Sequence, residues 1–306
     1  MASNTLQADI NEILLGYYVL GGKWTGFQQQ AYSKQQLNSR KKQVGEKLYL
    51  VQSARAEVMS EETLKWAKKN GYKGRVKRVW WTARPGILSK AVGYEVDSRK
   101  NPTDTLLEFS DGNFLGVSAK STKGKGDIGF KNPGVGTVEK SLKINLKKMI
   151  DAEESKFTKR FKLSESKSKR KAEIRKNPKI AEQSNVARDA LLKKIRNSLF
   201  KKLNSMTQKQ LKEYVLNEWM DAGAMIMPPY IKVTGHGNKA PFTASITDPL
   251  KDSKSNAIQK KKITLKRVGN DSVGILAGGK KILKMRAKYE SQAMASSLKF
   301  SGDPWT

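Results

Sequence analysis

The sequence predicts an α/β fold, a mixed β-sheet core flanked by helices and interrupted by a basic helical insertion. Three observations support this class. The chain opens on an apolar helix. Two strand-like runs joined by a turn follow near residue 110. After a long stretch rich in Lys and Arg, the β pattern returns from residue 223. The expected division is 1–145 for the N-terminal part of the core, 146–222 for the insertion, and 223–306 for a β-rich part completing the core. The 306 residues, 37% of them apolar, suffice for one large domain or two small ones.

Residues 5–20 read as the first helix. Leu6, Ile10, Ile13, Leu14 and Tyr17 recur at helical spacing, and Leu15, Tyr18 and Val19 add a second apolar face, so its latter half should be buried. Glu12 lies in that second face beside Ala8, Leu15 and Val19. A buried carboxylate is costly unless it is paired or metal-bound. Either a Lys or Arg partner or a metal is therefore expected at Glu12. Residues 28–58 read as a polar helix, and Ser60-Glu61-Glu62 as the cap of a short amphipathic helix ending at Asn70-Gly71. Arg75–Thr82 and Ala91–Val96 read as strands. With the two near residue 110 they make a sheet of at least four strands.

The composition changes from about residue 140. Residues 155–180 hold mainly Lys, Arg, Ser and Glu, which predicts a mobile linker or a solvated helix outside the core. An amphipathic helix follows, with Leu192, Ile195, Leu199, Leu203 and Met206 inward and Lys193, Lys194, Arg196, Lys201 and Lys202 outward. Thr207-Gln208-Lys209-Gln210 is a capping box for the next helix. Tyr230–Val233 and Phe242–Ile246 are short strands, and Lys262–Val268, Ser272–Leu276 and Lys281–Lys288 form a meander.

Composition narrows the function. Sixty Lys and Arg face 28 Asp and Glu, a formal net charge of +32. The sequence pI of about 10.1 implies an anionic partner, and nucleic acid is the usual one. No apolar run reaches the ~18 residues that would span a bilayer, and the opening residues lack a basic n-region. The expectation is a soluble, cytoplasmic protein with no membrane partner. There is no cysteine and one histidine, His236, in a turn-like setting. Zinc fingers and cysteine nucleophiles are excluded, and any metal must be held by oxygen ligands, which suits magnesium or manganese. Gly274–Lys281 approaches a phosphate-binding loop but has Lys281 where Ser or Thr would hold magnesium. A strand also follows it instead of a helix, so Ala277–Lys280 reads as a hairpin turn.

The hairpin at 101–120 carries the chemistry. Asn101–Phe109 and Phe114–Lys120 are joined by the turn residues Ser110-Asp111-Gly112-Asn113. Asp104 opens the first strand and Lys120 ends the second. Ser118 and Lys120 share one face of their strand because side chains alternate. Phosphodiester hydrolysis needs a metal to activate water and neutralise phosphate charge. A carboxylate at a strand end can hold that metal, and a lysine about 5 Å away can orient the water or stabilise developing charge.

These residues resemble the PD-(D/E)XK nuclease family, particularly its restriction-like and phage-borne members. The carriers are Pro102-Thr103-Asp104, the strand Thr105–Phe109, and Gly116-Val117-Ser118-Ala119-Lys120. Gly126–Gly134 and Met285–Tyr289 also look like pieces of such nucleases. The resemblance spans about 5–145 and 225–306. It implies a restriction-endonuclease-like core and magnesium-dependent hydrolysis of double-stranded DNA, with manganese as a substitute. If the protein is phage-encoded, its place is the host cytoplasm. Paired cuts would call for a homodimer, although no dimer signature stands out.

The family pattern places a metal ligand at Asp104, an acid at position 118 and the lysine at Lys120. Here position 118 is Ser118, so the second acid must come from elsewhere. Glu12 leads, Glu95 and Asp127 follow, and the carbonyl of Ala119 is a further ligand candidate. Lys123, Lys125, Lys193, Lys194, Lys201 and Lys202 are the expected phosphate contacts. Two rival readings share the same charge. One is a nucleic-acid-binding protein that kept the fold without the chemistry, and the other a structural nucleoprotein.

Overall fold

The computed structural model describes residues 4–97, 101–122, 130–220, 222 and 227–305. The chain divides into two units. The first joins Met1–Ile128 to Asp221–Asp252, and the second joins Gly129–Met220 to Ser253–Thr306. The β-rich C-terminal part therefore does not stay together. Only its first two strands complete the first unit, because they pair with the hairpin strands, whereas residues from 253 onward pair among themselves.

In the first unit α1 (Asn4–Val19) buries Ile10, Ile13, Leu14, Leu15 and Val19, as the apolar spacing requires. The polar region beyond it forms two helices, α2 (Gln30–Val44) and α3 (Glu46–Lys69). The break falls at Gly45, whose φ of 82° suits glycine. It does not fall near Ser60, because the Ser60 hydroxyl donates to the Glu57 carbonyl at 2.7 Å and stays buried inside α3. The strand β1 (Val76–Trp81) is as expected. The region read as a second strand, Ala91–Val96, forms none: Ala91 and Val92 end a helix, α4 (Ile87–Val92), bounded by Gly86 and Gly93, both in the left-handed region, and residues 93–96 are a turn and irregular backbone. Its Leu88 packs with Trp80 and Leu106, and that packing overrides the local β propensity.

The hairpin strands β2 (Thr105–Phe109) and β3 (Phe114–Thr122) are antiparallel. β4 (Tyr230–His236) runs parallel to β3, and β5 (Thr243–Thr247) runs antiparallel to β4. The result is a mixed five-stranded sheet in the order β1-β2-β3-β4-β5. All five residues of β2 are buried. Leu107 and Phe109 join the core with α1 and α3, while Leu106 faces the cluster of Trp80 and Leu88. Cover on both faces explains why Leu106 and Leu107 are both apolar, while buried Glu108 is paired with Arg78.

The second unit sets helices α5 (Val135–Leu142), α6 (Leu146–Arg160), α7 (Lys167–Lys176), α8 (Pro178–Asn204), α9 (Gln208–Glu218) and α10 (Ser253–Lys260) beside a four-stranded antiparallel meander. Its strands are β6 (Ile263–Val268), β7 (Ser272–Ala277), β8 (Lys280–Tyr289) and β9 (Leu298–Pro304), the last not foreseen from sequence. The Asn177 side chain caps α8 from Lys179 N and Ile180 N, with Pro178 in the first turn. The Thr207–Gln210 capping box opens α9. Gly278 and Gly279, at φ 56° and 78°, make the tight turn between β7 and β8.

Residues 155–180 are neither a linker nor a purely solvated helix. They supply the end of α6 and all of α7, with Phe157 and Ile174 buried. The few apolar anchors misled because this part of the core is partly ionic. Buried Glu154 pairs with Lys167 at 3.3 Å and with buried Arg170 at 3.8 Å, and it accepts the Tyr289 hydroxyl at 3.3 Å. Arg170 Nε donates to the Met294 carbonyl at 2.9 Å. Paired and hydrogen-bonded charges can be buried where lone ones cannot. Among the described residues, no helix is long and apolar enough to cross a membrane.

Candidate functional site

The site grows from the β2–β3 hairpin. Gly112 at φ 83° and the Asp111 carboxylate, which accepts Asn113 N at 3.0 Å, close the turn. The register Thr105↔Val117 then sets Asp104 beside Ser118, and Asp104 N donates to the Val117 carbonyl at 2.9 Å. One carboxylate oxygen of Asp104, Oδ2, accepts three donors: Ser118 Oγ at 3.2 Å, Ala119 N at 3.0 Å and Lys120 Nζ at 3.1 Å. The side chains of Asp104 and Lys120 are 24% and 38% exposed, so the pair is within reach of a ligand, whereas Ser118 is fully buried.

The approach to Asp104 is fixed by further residues of the same hairpin segments, to which the sequence assigned no role of their own. Asn101 Oδ1 accepts Thr103 N at 3.1 Å and Thr103 Oγ1 at 2.6 Å, and its amide donates to the carbonyls of Met227 and Pro228. Gly116 lets this segment cross the hairpin, because a Cβ there would stand 2.1 Å from Thr103 Oγ1 and 2.9 Å from Tyr230 Cβ. Thr82 N donates to the Asp104 carbonyl at 3.0 Å.

Glu12 comes to the same place from α1. The Thr105 hydroxyl donates to the Glu12 carbonyl at 2.9 Å, tying the helix to the residue after Asp104. Trp81 Nε1 donates to Glu12 Oε2 at 2.8 Å. Glu12 therefore has an indole as its hydrogen-bond partner, in place of the Lys or Arg that an ordinary ion pair would supply. Burial, and then the charge of Asp104, push its carboxyl up to about 8, while Trp81 and Lys120 pull the other way. Asp104 is also raised, by burial first, against the lowering effect of Lys120, Ser118 and Ala119. Trp81 stacks on Tyr32 at 5.9 Å, and the Arg84 guanidinium sits 3.6 Å above the Tyr32 ring. Trp81 read as one more apolar strand residue, so nothing in the sequence signalled its link to Glu12.

Five of the residues singled out from sequence, Glu12, Asp104, Ser118, Ala119 and Lys120, thus share one neighbourhood. Glu95 is exposed after α4. Lys123, Lys125 and Asp127 lie outside the described residues. His236 ends β4, with Nε2 2.7 Å from Ser245 Oγ. On α8, Lys193 and Lys201 are exposed and Lys202 is half-buried. Lys194 is exposed but paired with Glu153. Arg196 does not face out. It is buried on the same stripe as Leu192, Leu199 and Leu203, and its guanidinium donates to the Gly269 carbonyl of the β6–β7 turn and to Asn197 Oδ1. Among the described residues, no group of three or more His, Asp or Glu is placed to hold a metal ion. No family model matches the chain, and no curated protein matches it.

Proposed function

We propose that the first unit is a magnesium-dependent DNA endonuclease with a restriction-endonuclease-like core. One observation carries the reading: Asp104 and Lys120 meet at 3.1 Å on the hairpin, with Glu12 close enough that the Asp104 charge raises its pKa. A mixed sheet whose hairpin lies beside a parallel strand is consistent with such a core. The net charge of +32 favours a nucleic-acid substrate.

The donor set fits magnesium, which keeps several waters and is commonly held by one or two carboxylates. Glu12 and Asp104 would hold it, with the Ala119 carbonyl as a further oxygen. Burial holds both carboxyls above their ordinary range, and a cation would relieve that cost. When bound, magnesium would acidify a water and neutralise phosphate charge. Ser118 and Ala119 N fix the Asp104 carboxylate. Trp81 orients Glu12 through Oε2. Lys120 holds Asp104 and, being partly exposed, can donate to a phosphate oxygen or orient the attacking water.

The test is supercoiled plasmid incubated with the protein, with and without magnesium, beside Lys120→Ala. Metal-dependent nicking or linearisation that Lys120→Ala loses would support the reading. A second reading, a non-catalytic nucleic-acid-binding protein, is favoured by Ser118 standing where an acid would serve and by Asp104 Oδ2 being already engaged by three donors. Tight binding without cutting under any metal would decide for it.

A further inference from the structure

The second unit contains a recess of about 440 Å³ between α10 and the start of β8. Five lysines line it: Lys254, Lys260 and Lys261 from the helix side, Lys280 and Lys281 from the strand. Among the described residues, no Asp or Glu lines it. The helix side is one face of α10, because residues 253, 256, 257 and 260 follow helical spacing. The arrangement is anchored at several points. Gly278, at φ 56°, lets the Lys261 stem pack across the β7–β8 turn, where a Cβ would come within 2.6 Å of Lys261 Cδ. Lys254 Nζ lies 5.4 Å from the centre of the Phe130 ring, and Lys281 Nζ lies 5.7 Å from that of Trp305.

Five lysines around one concave wall raise the local positive potential, and the concavity focuses that field onto an anion that enters. We infer that this recess is a binding site for backbone phosphates of nucleic acid. Its lining residues are distinct from the basic face of α8. The inference rests on the reading of the protein as a nucleic-acid binder, and it is independent of cleavage.

The test uses the full chain without metal. Lysine acetylation footprinting is read by mass spectrometry with no ligand, with a short oligonucleotide and with tripolyphosphate. The oligonucleotide should protect the five recess lysines several-fold more than Lys47, Lys68 and Lys69 of the first unit. Absence of that protection, or protection by tripolyphosphate alone, overturns the proposal. In a second arm, replacing Lys254, Lys260, Lys280 and Lys281 with Gln should flatten the salt dependence of DNA affinity by about 3.6 units of slope, at about 0.9 per lost contact. The same loss of charge at Lys42, Lys47, Lys68 and Lys69, all exposed, should change it much less. Equal flattening in both variants also overturns it. If the recess variant does not fold, the footprint of the unmodified protein still decides. A protected recess on a protein that never cuts DNA would sink the nuclease reading and keep this one. Cutting with an unprotected recess would do the reverse.

Discussion

The two units handle charge in opposite ways. The first has 24 Lys and Arg against 15 Asp and Glu, a formal +9, and the second has 36 against 13, a formal +23. The first unit places two carboxyls, Glu12 and Asp104, where burial raises both, with Lys120 bonded to one of them. The second buries its acid, Glu154, between Lys167 and Arg170 and leaves most of its lysines at the surface. A buried acid with too little compensation is suited to taking a cation, whereas a fully paired one is suited to holding helices together. The first pattern points to chemistry and the second to structure surrounded by an anion-attracting surface.

The sharpest way to break that contrast is to remove the first unit's pair. Asp104→Ala and Lys120→Ala should each lower metal-dependent cleavage by about 10³-fold or more, with DNA affinity nearly unchanged. Retained activity in either purified variant would end the assignment. In the second unit, Glu154→Ala should act on stability instead. It leaves Arg170 buried without its partner, so thermal or urea unfolding should show a loss of about 3–5 kcal/mol. A neutral result would mean that this ionic cluster is not what holds α6 and α7.

Glu12 offers a finer comparison through pH. Its carboxyl is raised from 4.5 to about 8 in the folded protein. Between those values the folded state retains a proton that the unfolded state has lost, so without metal the Glu12 contribution to stability falls as pH rises through this window. Glu12→Gln should therefore melt at a higher temperature than the parent at pH 9 and at nearly the same temperature at pH 4. It should also lose magnesium-dependent cleavage. Identical pH profiles would show that the carboxyl is not buried as described. The smallest effect separates neighbours on α8. Lys193→Gln and Lys201→Gln should each flatten the salt slope of DNA binding by about 0.9. Lys194→Gln, already paired with Glu153, should change it less.

Much of the site was legible because it is local. Asp104, Ser118 and Lys120 fall on a hairpin whose turn is written in Ser110–Asn113, and alternation along a strand fixes which side chains share a face. The apolar faces of α1 and α8 and the capping box of α9 were legible for the same reason, since periodicity and capping act within a few residues. Arg196 differs. Its spacing from Leu192, Leu199 and Leu203 puts it on the inward stripe although its charge argues for solvent, and the Gly269 carbonyl of the β6–β7 turn receives it there.

By itself, then, the sequence determined the α/β class, the strongly basic charge, the hairpin with its Asp and Lys, and the absence of cysteine. Tertiary structure decided the rest. It divided the C-terminal β residues between two units, turned the segment after β1 into α4, and buried Glu154 with Arg170. It also paired Glu12 with Trp81, 69 residues away, and Glu154 with Tyr289, 135 residues away. Turns, caps and periodicity are short-range and leave marks in consecutive residues. Which distant donor meets a buried acid depends on how whole elements pack, and no local pattern encodes that.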